Sequence, residues 1–294
     1  MNTFVNICRM SQIDLKEFVV NELAQTYKEV VSGDGYVFTQ GKMPVLLVAH
    51  LDTVHKQLPQ TIYYDETMQI ISSPEGIGGD DRCGVYMVLE TIKRYNCSVL
   101  FCEDEEIGMV GAGKFIKSER AKGLEWNYII EFDRRGSNDA VFYDCDNPEF
   151  EEFITKEFFT SAYGSFSDIS TLAPFFKCAA VNLSCGYYKA HTTDEYVVFP
   201  EMVESLNAAC RILERTTEED KFEYIEAKGS YGGYYSSYGN DYFGDECYYI
   251  EYIDEDGETD YDCVEGLSEL EVIGMFCMDH PKLSFNHIIN IYPM

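Results

Sequence analysis

Histidines and carboxylates follow the apolar segments of this sequence at several points along the chain. The residues in question are His50, Asp52, Asp80, Asp81, Glu105, Glu106, Asp133 and His191. In VLLVAHLD the histidine and the aspartate are two residues apart, so on an extended chain both side chains point to the same side. Imidazole nitrogens and carboxylate oxygens are the ligands that zinc and similar divalent ions take in proteins. The pattern therefore indicates a site for divalent cations.

Alternating strands and helices are needed to bring these side chains together. VLLVAH, SVLFCE, WNYIIEF and CAAVNLSCG are predominantly apolar, as is typical of strands buried on both faces of a sheet. Helical spacing of apolar residues predicts helices over 12–31, 83–95 and 200–215, with a short helix over 110–118 and another over EFEEFITKEFF. TIYYDETMQIISS reads as a hairpin and VFYDCD as a hairpin-like segment.

This alternation predicts an α/β fold, a three-layer α/β/α arrangement around a mostly parallel central sheet. In such sheets ligands bind beyond the carboxyl ends of the strands. The candidate residues follow those strand ends, so the predicted fold gathers them at one edge.

The composition changes near residue 220. Residues 224–261 hold ten of the 23 tyrosines, and from residue 229 onward 14 acidic residues face a single lysine. We therefore predict a main domain over 1–220, a Tyr/Gly-rich linker over 221–246 and a small acidic α+β module over 247–294. Within this module we expect a hairpin over YYIEYIDEDGETDYDCV, a helix over LSELEVIGMFCM and a last strand over FNHIINIY.

Charge and cysteine content restrict the partners and the compartment. The chain has 22 Lys+Arg against 52 Asp+Glu, a net charge of −30, which disfavours nucleic acid and anionic membranes. The 11 cysteines are an odd number, several lie in apolar runs, and no Cys-x-x-Cys pair occurs, so reduced thiols are expected. The first residues lack the pattern of a signal peptide and no run approaches 18 apolar residues, so we expect a cytoplasmic protein without a membrane span.

The order of the motifs resembles that of the co-catalytic zinc peptidases, the group of aminoacylases and carboxypeptidases, peptidase T and the aminopeptidases. HLDTV, GGDDRCG and EDEEIG match the peptidase T-like members nearly position by position, and the resemblance covers roughly residues 40–215. It implies a phosphorylase/hydrolase-like zinc-peptidase domain that hydrolyses small peptides as an aminopeptidase or a di-/tripeptidase. Removal of the acyl group from an N-acyl amino acid is the alternative within the same chemistry. A metal- or partner-binding protein without turnover is less favoured, because no ligand or base of the family is absent.

The resemblance also implies a ligand set for two zinc ions, with Co²⁺ or Mn²⁺ as alternatives. One ion would be held by His50 and Asp133, and the other by Glu106 and His191. Asp80 would bridge both ions.

Further roles follow from the same resemblance. Glu105 would be the general base, taking a proton from the attacking water and passing it to the leaving amine. Asp52 would accept the second ring N–H of His50 and fix its tautomer. Asp81 would cap the helix that begins at Arg82, and His55 has no matching role.

The sequence departs from the family in its insertions. Only 57 residues separate Asp133 from His191 and 27 separate Asp52 from Asp80, so the usual lid and dimerisation insertions are absent and the oligomeric state stays open. The nearest architecture is that of the single-domain aminopeptidases, whose Ser-Asp-x-x-x-Phe loop is loosely similar to GSFSDISTLAPF. The EFDRRG segment adds two arginines, one of which could bind a substrate carboxylate or form an ordinary ion pair.

Overall fold

The computed structural model describes residues 1–164, 166–227, 246–253, 259–266, 272–273, 276, 283 and 287–293. The chain divides into two compact units, Met1–Ser230 and Tyr231–Met294. Residues 228–245 of the predicted linker and most of the predicted helix over LSELEVIGMFCM lie outside the described residues. Within the described part of the chain, no helix is long and apolar enough to cross a membrane.

The first unit combines twelve strands and seven helices among its described residues. The strands are β1 (Val31–Gly33), β2 (Tyr36–Thr39), β3 (Met43–His50), β4 (Tyr63–Asp65), β5 (Ile70–Ser72), β6 (Cys97–Cys102), β7 (Tyr128–Arg134), β8 (Asp139–Val141), β9 (Thr160–Ala162), β10 (Ala180–Ser184), β11 (Tyr187–Tyr188) and β12 (Tyr196–Val198). The helices are α1 (Asn2–Cys8), α2 (Gln12–Ala24), α3 (Gly79–Ile92), α4 (Val110–Lys117), α5 (Pro148–Thr155), α6 (Asp168–Phe176) and α7 (Phe199–Arg215).

Eight strands form the central sheet in the order β1-β2-β6-β3-β7-β10-β8-β9. The four middle strands β6, β3, β7 and β10 run parallel to one another, while β2 and β8 flank them antiparallel. Helices cover both faces. α1, α2, α3, α5 and α7 contribute to one apolar cluster, and α4 and α6 contribute to the other. The predicted three-layer α/β/α fold with a mostly parallel sheet is confirmed.

Strand β3 shows why the sequence produces this layering. Val45, Leu47 and Ala49 are fully buried in the first cluster, whereas Leu46 and Val48 are fully buried in the second. Alternate side chains of a strand point to opposite faces, so an uninterrupted apolar run requires cover on both sides.

A second, four-stranded antiparallel sheet has the order β11-β12-β5-β4. The β4–β5 hairpin, predicted from TIYYDETMQIISS, follows the end of β3. The β11–β12 hairpin carries the loop that contains His191 and pairs with β5 through Val197 and Ile71. This small sheet thereby returns the late histidine to the carboxyl ends of the central strands.

Several elements differ from the prediction. α2 ends at Ala24 rather than near 31, because the chain turns after it, with the N–H groups of Thr26 and Tyr27 both donating to Leu23 O, and then enters β1. α3 begins at Gly79, earlier than the predicted 83. VFYDCD contributes only the end of β8, which pairs with β10 and β9 rather than folding back on itself.

The segment predicted as a loop beside the site is largely the helix α6. The Ser167 and Ser170 side chains and main chains form a capping box at its start, which satisfies free N–H groups of the first turn. The first unit also extends beyond residue 220. The Phe222 N–H donates to Asn127 O at 2.9 Å, and the Ala227 N–H donates to Asp144 O at 2.9 Å.

In the second unit, β13 (Glu246–Ile253), β14 (Thr259–Gly266) and β15 (Ile288–Pro293) form an antiparallel sheet in the order β14-β13-β15. The hairpin and the last strand agree with the prediction. Ile250, Tyr252, Val272 and Phe276 form a small apolar cluster of their own.

Candidate metal centre

The carboxyl ends of β3 and β7 bring His50 and Asp133 together. The Nε2 atom of His50 lies 3.4 Å from Oδ1 of Asp133. On β7, Phe132 pairs with Leu183 and Arg134 pairs with Ser184, so Asp133 is the extra residue of a β-bulge. Bulges re-aim side chains next to functional sites, and here the bulge accompanies the contact between Asp133 and His50.

Asp80 lies between two groups of potential ligands. Its Oδ1 is 3.0 Å from Nε2 of His50, and its Oδ2 is 3.3 Å from Nε2 of His191. Nε2 of His191 is in turn 3.0 Å from Oε2 of Glu106. Potential ligand atoms therefore fall into two triads that share Asp80, with all atoms of a triad within 4.8 Å of one another.

The electrostatics of this cluster fit divalent cations. Burial raises the pKa of Asp133 to about 7, with the charge of Asp80 adding to the effect, and burial together with Asp80 raises the pKa of Glu106. Burial opposes the charging of His191, yet its hydrogen bonds to Asp80 and Glu106 raise its pKa to about 12. Oε1 of Glu106 is buried and finds no hydrogen-bond partner in the described part of the chain. Crowded carboxylates with an unused buried oxygen suit cations of high charge.

The donor set itself favours zinc or a similar ion. Each triad combines one imidazole with two carboxylates, a combination that Zn²⁺ accepts in open sites. The residues therefore could hold two ions, with Asp80 offering one oxygen to each.

Asp52 links His50 to the Glu-Glu pair. Its Oδ1 is 3.2 Å from Nδ1 of His50 and accepts the Glu105 N–H at 3.1 Å, while its Oδ2 accepts the Glu106 N–H at 3.1 Å. Burial alone would raise the pKa of Asp52, but His50 and these two N–H groups hold that pKa below its ordinary value. Asp52 therefore stays ionised and orients both the imidazole and the turn that follows β6.

Glu105 is buried at the edge of the first triad. Its Oε2 lies 4.0 Å from Nε2 of His50. Burial raises its pKa well above 4.5, and the nearby charges of Asp133 and Glu106 act in the same direction, against the opposing charge of His50. A carboxylate in this environment has an increased affinity for a proton.

The Asp80–Asp81 peptide is cis, and Asp81 belongs to neither triad. Its Oδ1 accepts the Gly84 N–H at 2.8 Å and its Oδ2 accepts the His50 N–H at 3.2 Å. A Cβ atom at Gly84 would lie 1.8 Å from the Phe132 carbonyl oxygen, so only glycine fits there. Asp81 therefore caps the regular part of α3 and ties it to β3, as expected for this residue.

Other functional contacts were missed by the sequence reasoning. Arg82 is fully buried and donates to the carbonyl oxygens of Leu51 at 2.5 Å and Asp52 at 3.3 Å, which fixes the chain just after His50. Glu195, four residues beyond His191, is fully buried against the Asp80 segment. No local signal separates Glu195 from the other acids of this acidic chain.

Two further buried carboxylates lie on the α6 side of the site. Glu131 lies inside β7, where an acid within an apolar strand was a usable signal, and it accepts a hydrogen bond from the Ser167 hydroxyl. Asp168 begins α6 and is also fully buried. Of the two arginines of EFDRRG, Arg134 forms an ion pair, with its Nε 3.3 Å from Oδ2 of Asp139.

Fold and site together define a class. An α/β/α domain with two carboxylate-linked triads at the carboxyl edge of its sheet places the chain in the co-catalytic zinc peptidase group. More particularly, residues 36–181 match the model of peptidase family M28, which makes the protein a metallopeptidase.

Solved structures share the fold at low sequence identity. An aminopeptidase PepT from Bacillus cereus ATCC 10987 is 14% identical with a TM-score of 0.58, and the match covers 72% of this chain and 96% of that chain. A tripeptidase from Staphylococcus aureus is 13% identical with a TM-score of 0.59, covering 72% and 96%. An aminopeptidase from the archaeon Desulfurococcus kamchatkensis is 14% identical with a TM-score of 0.55, covering 74% and 96%. No curated protein sequence matches the chain significantly.

Proposed function

We propose that this protein is an exopeptidase that acts on small peptides, as an aminopeptidase or a di-/tripeptidase, through two metal ions bridged by Asp80. The observation that carries the proposal is the division of the Asp80 carboxylate, with one oxygen 3.0 Å from His50 and the other 3.3 Å from His191. If Asp80 only formed an ion pair with one histidine, its two oxygens would not have to face two different histidines, one in each triad.

His50 and Asp133 would hold one ion, Glu106 and His191 would hold the other, and Asp80 would contact both. Two dications held by these residues would supply Lewis-acid polarisation of the scissile carbonyl and a lowered pKa of the attacking water. Zinc suits the donor set, and Co²⁺ or Mn²⁺ can replace it in sites of this composition.

Glu105 would then carry the proton through the reaction. Its carboxylate takes a proton from the attacking water and delivers it to the nitrogen of the leaving amine as the peptide bond breaks. Burial raises the pKa of Glu105, so the group is a stronger base than an exposed glutamate and a usable acid afterwards. Asp52 supports this role by holding the Glu105 main chain at 3.1 Å.

The substrate class is supported by the family and by the fold. Solved structures with this fold include an aminopeptidase and a tripeptidase, and the proposed ligands all lie within the unit Met1–Ser230. The eight cysteines of this unit are buried and free, which suits the reducing cytoplasm.

A substrate panel tests the proposal. The zinc-loaded protein is assayed with di- and tripeptides that have free amino termini, with the same peptides N-acetylated, and with N-acetyl amino acids. We expect hydrolysis of the free peptides only, with a rate about 10²- to 10⁴-fold lower for Glu105→Gln. Preferential hydrolysis of N-acetyl amino acids would instead establish a deacylase, and hydrolysis of no substrate would refute the proposed enzyme.

A further inference from the structure

Glu195 is a fully buried carboxylate with three partners. Its Oε1 accepts the Asp80 N–H at 2.9 Å, and its Oε2 accepts the Gly78 N–H at 2.8 Å. Oε2 also lies 2.8 Å from Nε2 of His55, a histidine to which the family comparison gave no role. Both oxygens of Glu195 are therefore used, and two of the three contacts are to the main chain that carries the bridging aspartate.

The Gly78–Asp80 segment needs an external acceptor. N–H groups at the start of a helix lack partners within the helix, and here the first residues are not helical: Gly78 has φ +65° and Asp80 has ψ 103°. If the Glu195 carboxylate were removed, the N–H groups of Gly78 and Asp80 would lose their hydrogen-bond acceptors while remaining buried. Such a loss destabilises the main-chain conformation in which Asp80 is held.

The glycines of GIGGDD fit around the same carboxylate and its histidine. A Cβ atom at Gly76 would lie 2.2 Å from Cε1 of His55, and one at Gly79 would lie 3.2 Å from Oε1 of Glu195 and 2.8 Å from Cβ of Tyr187. Gly76 thus makes room for His55, and Gly79 makes room for Tyr187, Val197 and Glu195.

Glu195 also connects two of the three segments that supply the triad of Asp80, Glu106 and His191. It lies in the β11–β12 loop, four residues after His191, and its N–H donates to Thr192 O at 3.2 Å. The side chain of Asp80 must place one oxygen near His50 and the other near His191, so its main chain must be fixed relative to the His191 loop. Glu195 makes that connection directly.

We propose that Glu195, paired with His55, is a positioning residue that fixes the main chain of Asp80 so that its carboxylate can serve both metal sites. The inference rests on the proposed two-metal function. Glu195 touches neither the substrate nor the ions in this account, and it acts through the Asp80 N–H and the adjoining loop.

The test measures zinc binding rather than turnover. Glu195→Gln keeps the shape of the side chain, but the amide has only one acceptor oxygen. Its NH₂ group would face one of the N–H groups that donate to the Glu195 carboxylate in the parent. Zinc affinity and stoichiometry are measured by competition with a chromophoric chelator, after circular dichroism has shown that the variant is folded. We expect zinc affinity to fall about 10- to 100-fold, as is typical when the residues that orient metal ligands are replaced.

The matched control is Glu75→Gln, in the same loop region, where the carboxylate accepts from the Ser73 hydroxyl at 2.6 Å and contacts no proposed ligand. Its zinc affinity should stay within twofold of the parent protein. Glu195→Asp keeps an acceptor on a shorter side chain and should retain more affinity than Glu195→Gln. A purely structural role predicts lower thermal stability with unchanged zinc affinity, and that result would overturn the proposal.

His55 provides a second route if Glu195→Gln does not fold. His55→Leu removes the partner of Glu195, whereas His55→Gln preserves an N–H donor, so we expect weaker zinc binding in the first and near-parental binding in the second. Equal, parental zinc affinity in both variants would also overturn the proposal. If the parent protein binds no zinc, the proposed function itself is contradicted. If the parent binds two zinc ions and the variants bind zinc with the same affinity, only the role of Glu195 is contradicted.

Discussion

Replacing Asp168 with asparagine should stabilise the metal-free protein at pH 8 and change its stability little near pH 4. Asp168 is fully buried, and among the described residues no N–H or O–H group donates to its carboxylate; the thiol of Cys102, a weak donor, is its neighbour. Burial raises the pKa of this group from 3.8 to about 7, against the opposing charge of His50. A raised pKa in the folded state favours folding while the group is protonated, and this advantage is lost as the pH rises towards and past 7.

The size of the effect follows from that pKa. A shift of about three pKa units corresponds to about 4 kcal/mol, which is the upper limit of the penalty for ionised Asp168 at pH 8. Asp168 lies in the first turn of α6, where a negative charge gains roughly 0.3–1 kcal/mol from the helix dipole. We therefore expect a net gain of about 1–3 kcal/mol for Asp168→Asn at pH 8, or roughly 3–10 °C in Tm for a unit of this size.

The assay compares thermal and urea unfolding of the parent and Asp168→Asn after treatment with EDTA, at pH 4, 6 and 8. Glu149→Gln, in the exposed first turn of α5, is the control for loss of a charge at a helix start. Its stability should change little with pH relative to the parent. Lower stability of Asp168→Asn at pH 8, or the same difference from the parent at pH 4 and pH 8, would refute the reasoning.

Four other predictions concern the metal centre and the boundary of the first unit. Glu105→Gln should keep its zinc and lower kcat about 10²- to 10⁴-fold, which steady-state kinetics and elemental analysis would check, and an unchanged kcat would exclude Glu105 as the base. Asp80→Ala should lose or weaken both ions, so two tightly held zinc ions found by mass spectrometry would contradict the bridge. Because the pKa values of both His50 and His191 are raised, protons compete with the metal, and zinc affinity measured by chelator competition should fall from pH 8 to pH 6; a flat profile would contradict these pKa directions. A chain ending at Ala227 should stay folded and bind zinc, since residues up to 227 pack on the first unit, and loss of both by circular dichroism and metal analysis would show that the second unit is needed.

The site residues that directly follow a buried strand could be predicted from the sequence. VLLVA is apolar at every position, so its burial on both faces, and the position of His50 directly at its carboxyl end, follow from strand geometry. The motif order supplied the remaining candidates, and the structure brings His50, Asp80, Asp133, Glu106 and His191 into two adjoining triads.

Contacts between distant segments could not be predicted in this way. Glu195 is buried because the β11–β12 hairpin pairs with β5, and that pairing joins residues far apart in the chain. A helix at α6 was disfavoured locally by Pro174, yet Ser167 and Ser170 cap its start and the helix reaches Phe176. β8 is three residues long and is held by β10 and β9 rather than by its own sequence neighbours.

We propose that peptide hydrolysis by this protein depends on two ions that share Asp80. The most direct measurement is a titration of EDTA-treated protein with Zn²⁺, in which the rate of hydrolysis of a free tripeptide is followed against the number of bound ions. We expect no hydrolysis without metal and full activity only when the second equivalent of Zn²⁺ binds. Full activity with one equivalent, or undiminished activity in the metal-free protein, would contradict this proposal.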